Sequence, residues 1–227
     1  MKLTFHVQAA GASRTIDVEI NTCIVAGWAG RDVQAIEHHI EELAELGVPR
    51  PSAVPLYYRI AANQLTQDEE VQVVGGESSG EAEVFVFSHE NQMLVSLASD
   101  HTDRKLEAHS VALSKQLCAK PVARDAWLYT EVEDHWDELI LRSWIEEGGQ
   151  RVLYQEGPLA TLRHPQDLIR GHFQRDAMPE HAGMTCGTVA TIGRIRPSTV
   201  FEMELYDPRR DRRIAHRYTL AILPEIA

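Results

Sequence analysis

The chain has 227 residues, 44% apolar and 25% charged, an ordinary composition for a folded globule with a sizeable core. Lys and Arg number 22 against 34 Asp and Glu, and the resulting formal charge of −12 argues against non-specific binding to nucleic acid or to an anionic membrane. No apolar run approaches the roughly 20 residues of a membrane-spanning helix, nothing behind Lys2 resembles a signal peptide, and Cys23, Cys118 and Cys186 form no close pair, which predicts a reducing, cytoplasmic setting.

In chain order, residues 3–7 and 16–20 alternate apolar and polar and predict two strands joined by a turn at 10–13. The period then lengthens. Ile36, Ile40, Leu43 and Leu46 fall at helical spacing, and Gly47 with Pro49 predicts the stop. Pro49, Pro51 and Pro55 predict an extended linker. Strands are predicted over 71–74, 83–87 and 93–98, and one helix over 104–117, with Leu106, Val111 and Leu113 as its apolar positions. The remainder predicts short strands over 138–144, 150–154, 187–190, 201–205 and 217–222. Many strands and few helices give an α+β, β-dominated fold rather than a doubly wound sheet. No internal boundary is visible, so residues 1–227 are expected to form a single catalytic-type domain, with an N-terminal strand segment at about 1–26.

Three groups of residues could carry chemistry. Glu81 and Glu83 enter the strand over 83–87 and, two apart, share a face. Such carboxylates either form a solvated acidic edge or hold a hard divalent cation. Asp100 ends the next apolar strand, where it is well fixed for a third oxygen ligand. In the same stretch Thr102 or Asp103 could simply cap a helix, and His101 reads as a packing or surface residue. On the first helix His39 and Glu42 share a face, as do His38 and Glu41, and a carboxylate-oriented imidazole is a general-base unit. A solvated helix face is the alternative. The basic stretch 208–213 has acidic neighbours and no interleaved aromatics, and reads as a β-turn.

In this order the residues resemble the fumarylacetoacetate hydrolase superfamily, as a divergent bacterial branch. That family runs from a Gly-rich approach through His-x-x-Glu-Leu, a Pro-rich linker, Glu-x-Glu on a strand and Asn-Asp-x-Ser/Thr-x-Arg. A Lys, a Gln-containing strand and a late Gly-Thr segment follow. Here the sequence reads Gly30-Arg31, His39-Ile40-Glu41-Glu42-Leu43, Pro55-Leu56-Tyr57-Tyr58-Arg59 and Glu81-Ala82-Glu83. It continues with Ser99-Asp100-His101-Thr102-Asp103-Arg104, Lys115, Gln155 and Cys186-Gly187-Thr188-Val189-Ala190.

The resemblance implies a mixed β-roll like the C-terminal domain of fumarylacetoacetate hydrolase, a homodimer, and Mg²⁺ or Mn²⁺ held by Glu81, Glu83 and Asp100. It implies His39 and Glu42 as the dyad and Lys115 as the group that polarises the substrate. Arg59 would bind substrate in a bidentate fork where many members have Lys, and Gly187 and Thr188 would lie near the substrate's carboxylate or carbonyl. The longer interval from Gly30 to His39 keeps His38 and Glu41 open as the dyad. The implied activity is metal-dependent hydrolysis or decarboxylation that cleaves a C–C bond in a small 2-oxo or 1,3-dicarbonyl acid. A hydratase or isomerase on the same scaffold, or a non-catalytic metal- or small-molecule-binding protein, are the other readings.

Overall fold

Strict alternation builds the first hairpin. In β1 (Lys2–Ala9) Leu3, Phe5 and Val7 are buried while His6 is exposed, and in β2 (Ala12–Glu19) Val18 is buried between exposed Asp17 and Glu19. The computed structural model describes residues 1–9, 12–45 and 50–226, and the side chains at 12, 39, 42, 43 and 45 lie outside the described residues. The centre of the expected turn at 10–13 and the expected helix stop at Gly47 and Pro49 also lie outside them.

Eleven further strands of four or more residues complete two sheets: β3 (Thr22–Gly27), β4 (Leu56–Ile60), β5 (Glu70–Val74), β6 (Ala82–His89), β7 (Gln92–Ser99), β8 (Asp125–Leu128), β9 (Ile140–Glu147), β10 (Gln150–Pro158), β11 (Ala182–Thr188), β12 (Val200–Asp207) and β13 (Arg212–Leu223). The larger sheet has the order β2-β1-β8-β7-β6-β11-β3-β4, the smaller β10-β9-β12-β13-β5. The β-dominated α+β architecture is therefore the one expected.

β6 is buried on both faces. Val84 and Val86 pack between the two sheets with Leu141, Leu205 and Tyr218. Phe85 and Phe87 point the other way, into a second core that runs from Val18 on β2 to Ile60 on β4. One cluster can join residues of both edge strands only if the large sheet curls around it, which makes the roll.

Helices are few: α1 (Val33–Glu45), α2 (Arg104–Glu107), α3 (Val111–Leu117) and α4 (Pro165–Phe173). The single helix expected over 104–117 is two. Ser110 breaks it, because its hydroxyl caps α3 by accepting from the Leu113 N–H at 3.3 Å. The face of α3 is also reversed, with Leu113 and Leu117 exposed and Ser114 and Lys115 buried. The segment expected to start a strand at Gly187 instead ends one. The stretch 208–213 does turn, between β12 and β13, with Arg209 paired to Glu138 and Arg212 to Glu131. Among the described residues no helix is long and apolar enough to cross a membrane.

Candidate active site

Antiparallel pairing of β6 and β7 sets Ala82 opposite Ser99, so the residues just outside that pair, Glu81 and Asp100, also lie side by side. The Asp100 N–H donates to the Glu81 carbonyl at 2.9 Å. Glu83 follows two residues along β6, on the face of Glu81. One oxygen from each carboxylate lies within 4.8 Å of the others. Glu81 and Glu83 line a cavity of about 460 Å³ together with Trp28, Tyr58, Val111 and Ile195, and Asp100 lies buried behind them.

Lysines surround Asp100, which is fully buried. Lys115 pairs with its Oδ2, and Lys120, itself wholly buried, lies 3.1 Å from its Oδ1. Burial alone would raise the Asp100 pKa, but the two ammonium groups outweigh it and hold the carboxyl down at about 2. Glu83 shows the opposite balance. Burial and the Asp100 charge push it up to about 8, against a smaller pull from Lys115. Burial and mutual repulsion thus both oppose ionising all three carboxyls together. Three buried oxygen donors whose mutual repulsion a positive charge would relieve are the donor set of a hard divalent ion, so these residues fit the implied Mg²⁺ or Mn²⁺.

Neighbouring groups fix each carboxylate. The Gly187 N–H donates to Glu83 Oε2 at 2.8 Å. Gly187 sits at φ +88°, and a Cβ there would stand 2.7 Å from that of Ala29, so only glycine delivers this N–H. Arg104 reaches Glu81 Oε1 at 3.0 Å, Ser79 Oγ at 2.7 Å and Glu107 Oε2 at 2.8 Å. Gln155 is buried and fully used: its Oε1 accepts from the Ala82 N–H and the Ser143 hydroxyl, and its Nε2 donates to Thr188 Oγ1 and the Val189 carbonyl. Thr188 in turn donates to the Ala82 carbonyl at 2.7 Å. Burial opposes the charge on Lys115, yet Asp100 and Glu81 raise its pKa, so it stays an ammonium.

The structure thus brings Glu81, Glu83, Asp100, Lys115, Gly187 and Thr188 together at one cavity. Arg59 is not brought there. Strand alternation points Tyr58 into the cavity and leaves Arg59 exposed, with its guanidinium 3.3 Å from the Thr22 hydroxyl. His39 and Glu42 lie on α1, but their side chains lie outside the described residues. The helix itself starts three residues after the cavity residue Gly30, against which Ile36 packs. His38 and Glu41 are exposed. His101 is a packing residue: it is buried between the Tyr218 and Ser78 hydroxyls, each 2.9 Å away, and burial with Lys120 and Arg104 pushes its pKa down to about 3.

Four site residues escaped the sequence-based reading. Arg104 closes the Ser99-to-Arg104 motif quoted above, and with Glu107 it carries a second signal, an i,i+3 ion-pair spacing at the start of a predicted helix. Tyr58 and Lys120 carry none, because long-range pairing alone brings them in.

The model of the family described as "Protein of unknown function (DUF2848)" matches residues 26–218. No curated protein matches the sequence. Among solved structures, a hexagonal crystal form of 2-keto-3-deoxyarabinonate dehydratase superposes with a TM-score of 0.67 at 12% identity, covering 96% of this chain and 79% of that one. The 2-keto-3-deoxy-D-arabinonate dehydratase complexed with magnesium and 2,5-dioxopentanoate gives a TM-score of 0.65 at 12% identity, with the same coverages of 96% and 79%. The 4-oxalocrotonate decarboxylase from Pseudomonas putida G7, complexed with calcium and acetate, gives 0.56 at 15% identity, covering 89% of this chain and 78% of that one. At these identities the likeness is one of fold.

Proposed function

The chain belongs to the DUF2848 family of proteins of unknown function, and from that premise we propose that it is a divalent-metal-dependent lyase or hydrolase acting on a small 2-oxo or 1,3-dicarbonyl acid, in a branch of the fumarylacetoacetate hydrolase superfamily. One observation carries the reading: three carboxylates meet beside a charged lysine at a cavity that Glu81, Glu83 and Lys115 line, in a fold shared with a dehydratase and a decarboxylase. Dehydration, decarboxylation and hydrolytic C–C cleavage of oxo acids all develop enolate charge, so the same site serves a lyase or a hydrolase.

Glu81, Glu83 and Asp100 would hold Mg²⁺ or Mn²⁺, which when bound supplies a Lewis acid and a template for two substrate oxygens. The chain's own residues do the rest. Lys115, held as an ammonium, donates to the oxygen on which enolate charge develops. Arg104, Lys120 and the Gly187 N–H keep the three carboxylates in place. His39, oriented by Glu42, takes a proton from substrate or water. Thr188 anchors the end of β11 against β6 and so shapes the wall beside the substrate. Residues 1–227 act as one catalytic-type unit. The three buried free cysteines support a cytoplasmic setting.

A metal-dependent assay over acylpyruvates, 2-oxo-3-deoxy acids and oxaloacetate tests this. Replacing His39 with Ala should lower turnover by roughly 10²–10⁴-fold and leave Mg²⁺ affinity unchanged, whereas Glu81→Ala should lower both. Turnover that survives complete chelation would overturn the reading. A full-rate His39→Ala enzyme would remove His39 from the mechanism and bring in His38 with Glu41.

A further inference from the structure

We infer that the site takes a 2-oxo acid with a single carboxylate and an uncharged, largely apolar tail, and that Glu107 is the residue that excludes a second carboxylate. This rests on the function proposed above and names its substrate class.

The cavity's lining is of two kinds: Glu81, Glu83, Arg104, Glu107 and Lys115 are charged, and Trp28, Tyr58, Ala108, Val111 and Ile195 are aromatic or aliphatic. About 460 Å³ is within the usual range of small-molecule pockets and leaves room past an oxo-acid head group for a tail. What that tail meets is aromatic and aliphatic.

Charge sets the second constraint. Among the described residues two cations line the cavity, Arg104 and Lys115, and Lys115 is the one assigned to the head group's developing enolate oxygen. Lys115 pairs with Asp100. Arg104 spends Nε on Ser79, Nη2 on Glu81 and Nη1 on Glu107. Arg59, the remaining cation that the sequence offered for this purpose, is turned away towards Thr22. Glu107 therefore acts twice: it occupies the arginine edge that could have received a substrate carboxylate, and it adds a negative charge to the wall.

The balance is consistent with this. With a divalent ion bound, the ionised Glu81, Glu83, Asp100 and Glu107 carry four negative charges against three positive ones on Arg104, Lys115 and Lys120 and two on the ion, a net single positive charge. One substrate carboxylate neutralises it, and a second would be desolvated beside Glu107 with no partner. Exclusion by an unpaired like charge is a standard source of specificity.

Calorimetric binding to the Ca²⁺-loaded protein tests the inference without turnover. The probes are phenylpyruvate and 4-methyl-2-oxopentanoate against 2-oxoglutarate and 2-oxoadipate. Wild type should bind the monocarboxylates at least about tenfold more tightly, the equivalent of about 1.4 kcal/mol. In Glu107→Gln that preference should shrink by about tenfold, because the Arg104 edge is released. Glu107→Ala serves as the second variant, and melting temperatures close to wild type establish that both are folded. Equal binding of both classes to wild type, or an unchanged preference in both variants, overturns the inference. So does Ca²⁺ binding with no binding of any oxo acid. Absence of Ca²⁺ and Mg²⁺ binding by wild type would overturn the proposed function itself, which is a separate result.

Discussion

At the scale of single residues the site is a set of charges sorted by their neighbours. Asp100 sits between Lys115 and Lys120 and stays ionised, and Glu83, with the same burial and weaker compensation, takes up a proton. The pH dependence of the metal-free protein follows. The folded Glu83 has a pKa of about 8, above its ordinary 4.5. Between those values the native state holds a proton that the unfolded state has released, so its contribution to stability is full below 4.5 and is lost as pH rises through 8. Asp100, lowered from 3.8 to about 2, does the opposite, and its contribution is lost only as pH falls towards 2. Urea midpoints of chelated protein should fall from about pH 5 to about pH 8.5, and Glu83→Gln should flatten that decline. A wild-type midpoint that rises over this interval would contradict the assignment.

The motif carboxylates were readable in the sequence because their spacing is local: two residues apart on one strand, and one at the end of the next. Lys115 was readable only through family likeness. Its own helix conceals it, since ion pairs rather than apolar periodicity turn that face inward. Lys120 and Tyr58 could not be read at all, for the contacts that define them span many residues of chain.

At the scale of elements, the β6–β7 hairpin carries the site, and its turn is not optimal. Glu90 and Asn91 link the strands with φ of +53° and +60°, a two-residue loop with both residues left-handed. Such a loop favours Asn-Gly, and Glu90 bears a steric cost there. The double substitution Glu90→Asn, Asn91→Gly keeps the N–H that Asn91 gives to Glu180. It should stabilise the protein by about 1 kcal/mol in urea denaturation. A destabilised variant would show that the loop is held by contacts other than its backbone geometry.

The same scale shows which elements the pattern of residues could announce. β1, β2, β5 and β7 have one readable run each. β3 is buried on both faces and has no alternation to read, with Cys23 and Val25 in one core and Ile24 and Ala26 in the other or against it. β4 follows directly on the Pro-rich linker, and α4 begins at Pro165 with a stripe of just Leu168 and Ile169 buried after it.

At the scale of the whole molecule, a net charge of −12 and a locally compensated site coexist, because the excess acid lies outside the cavity. The surface also carries exposed apolar side chains where β5 pairs with β13: Val74 opposes Leu223 on one face of the sheet, and Ile222 lies on the other. The homodimer that the family resemblance implies would cover such exposed side chains, closed dimers being the commonest oligomers. Light scattering should return twice the chain mass of 25.5 kDa, and a mass of one chain across concentrations would contradict the dimer.

On the proposed function, Glu81, Glu83 and Asp100 share one divalent cation. Crystals grown with Mn²⁺ and measured for anomalous scattering test it most directly. A single strong peak bounded by these three carboxylates is expected, with oxygen distances of about 2.0–2.3 Å and no such peak in Glu83→Gln crystals. A peak elsewhere in the molecule, or none in wild type at saturating Mn²⁺, would contradict it.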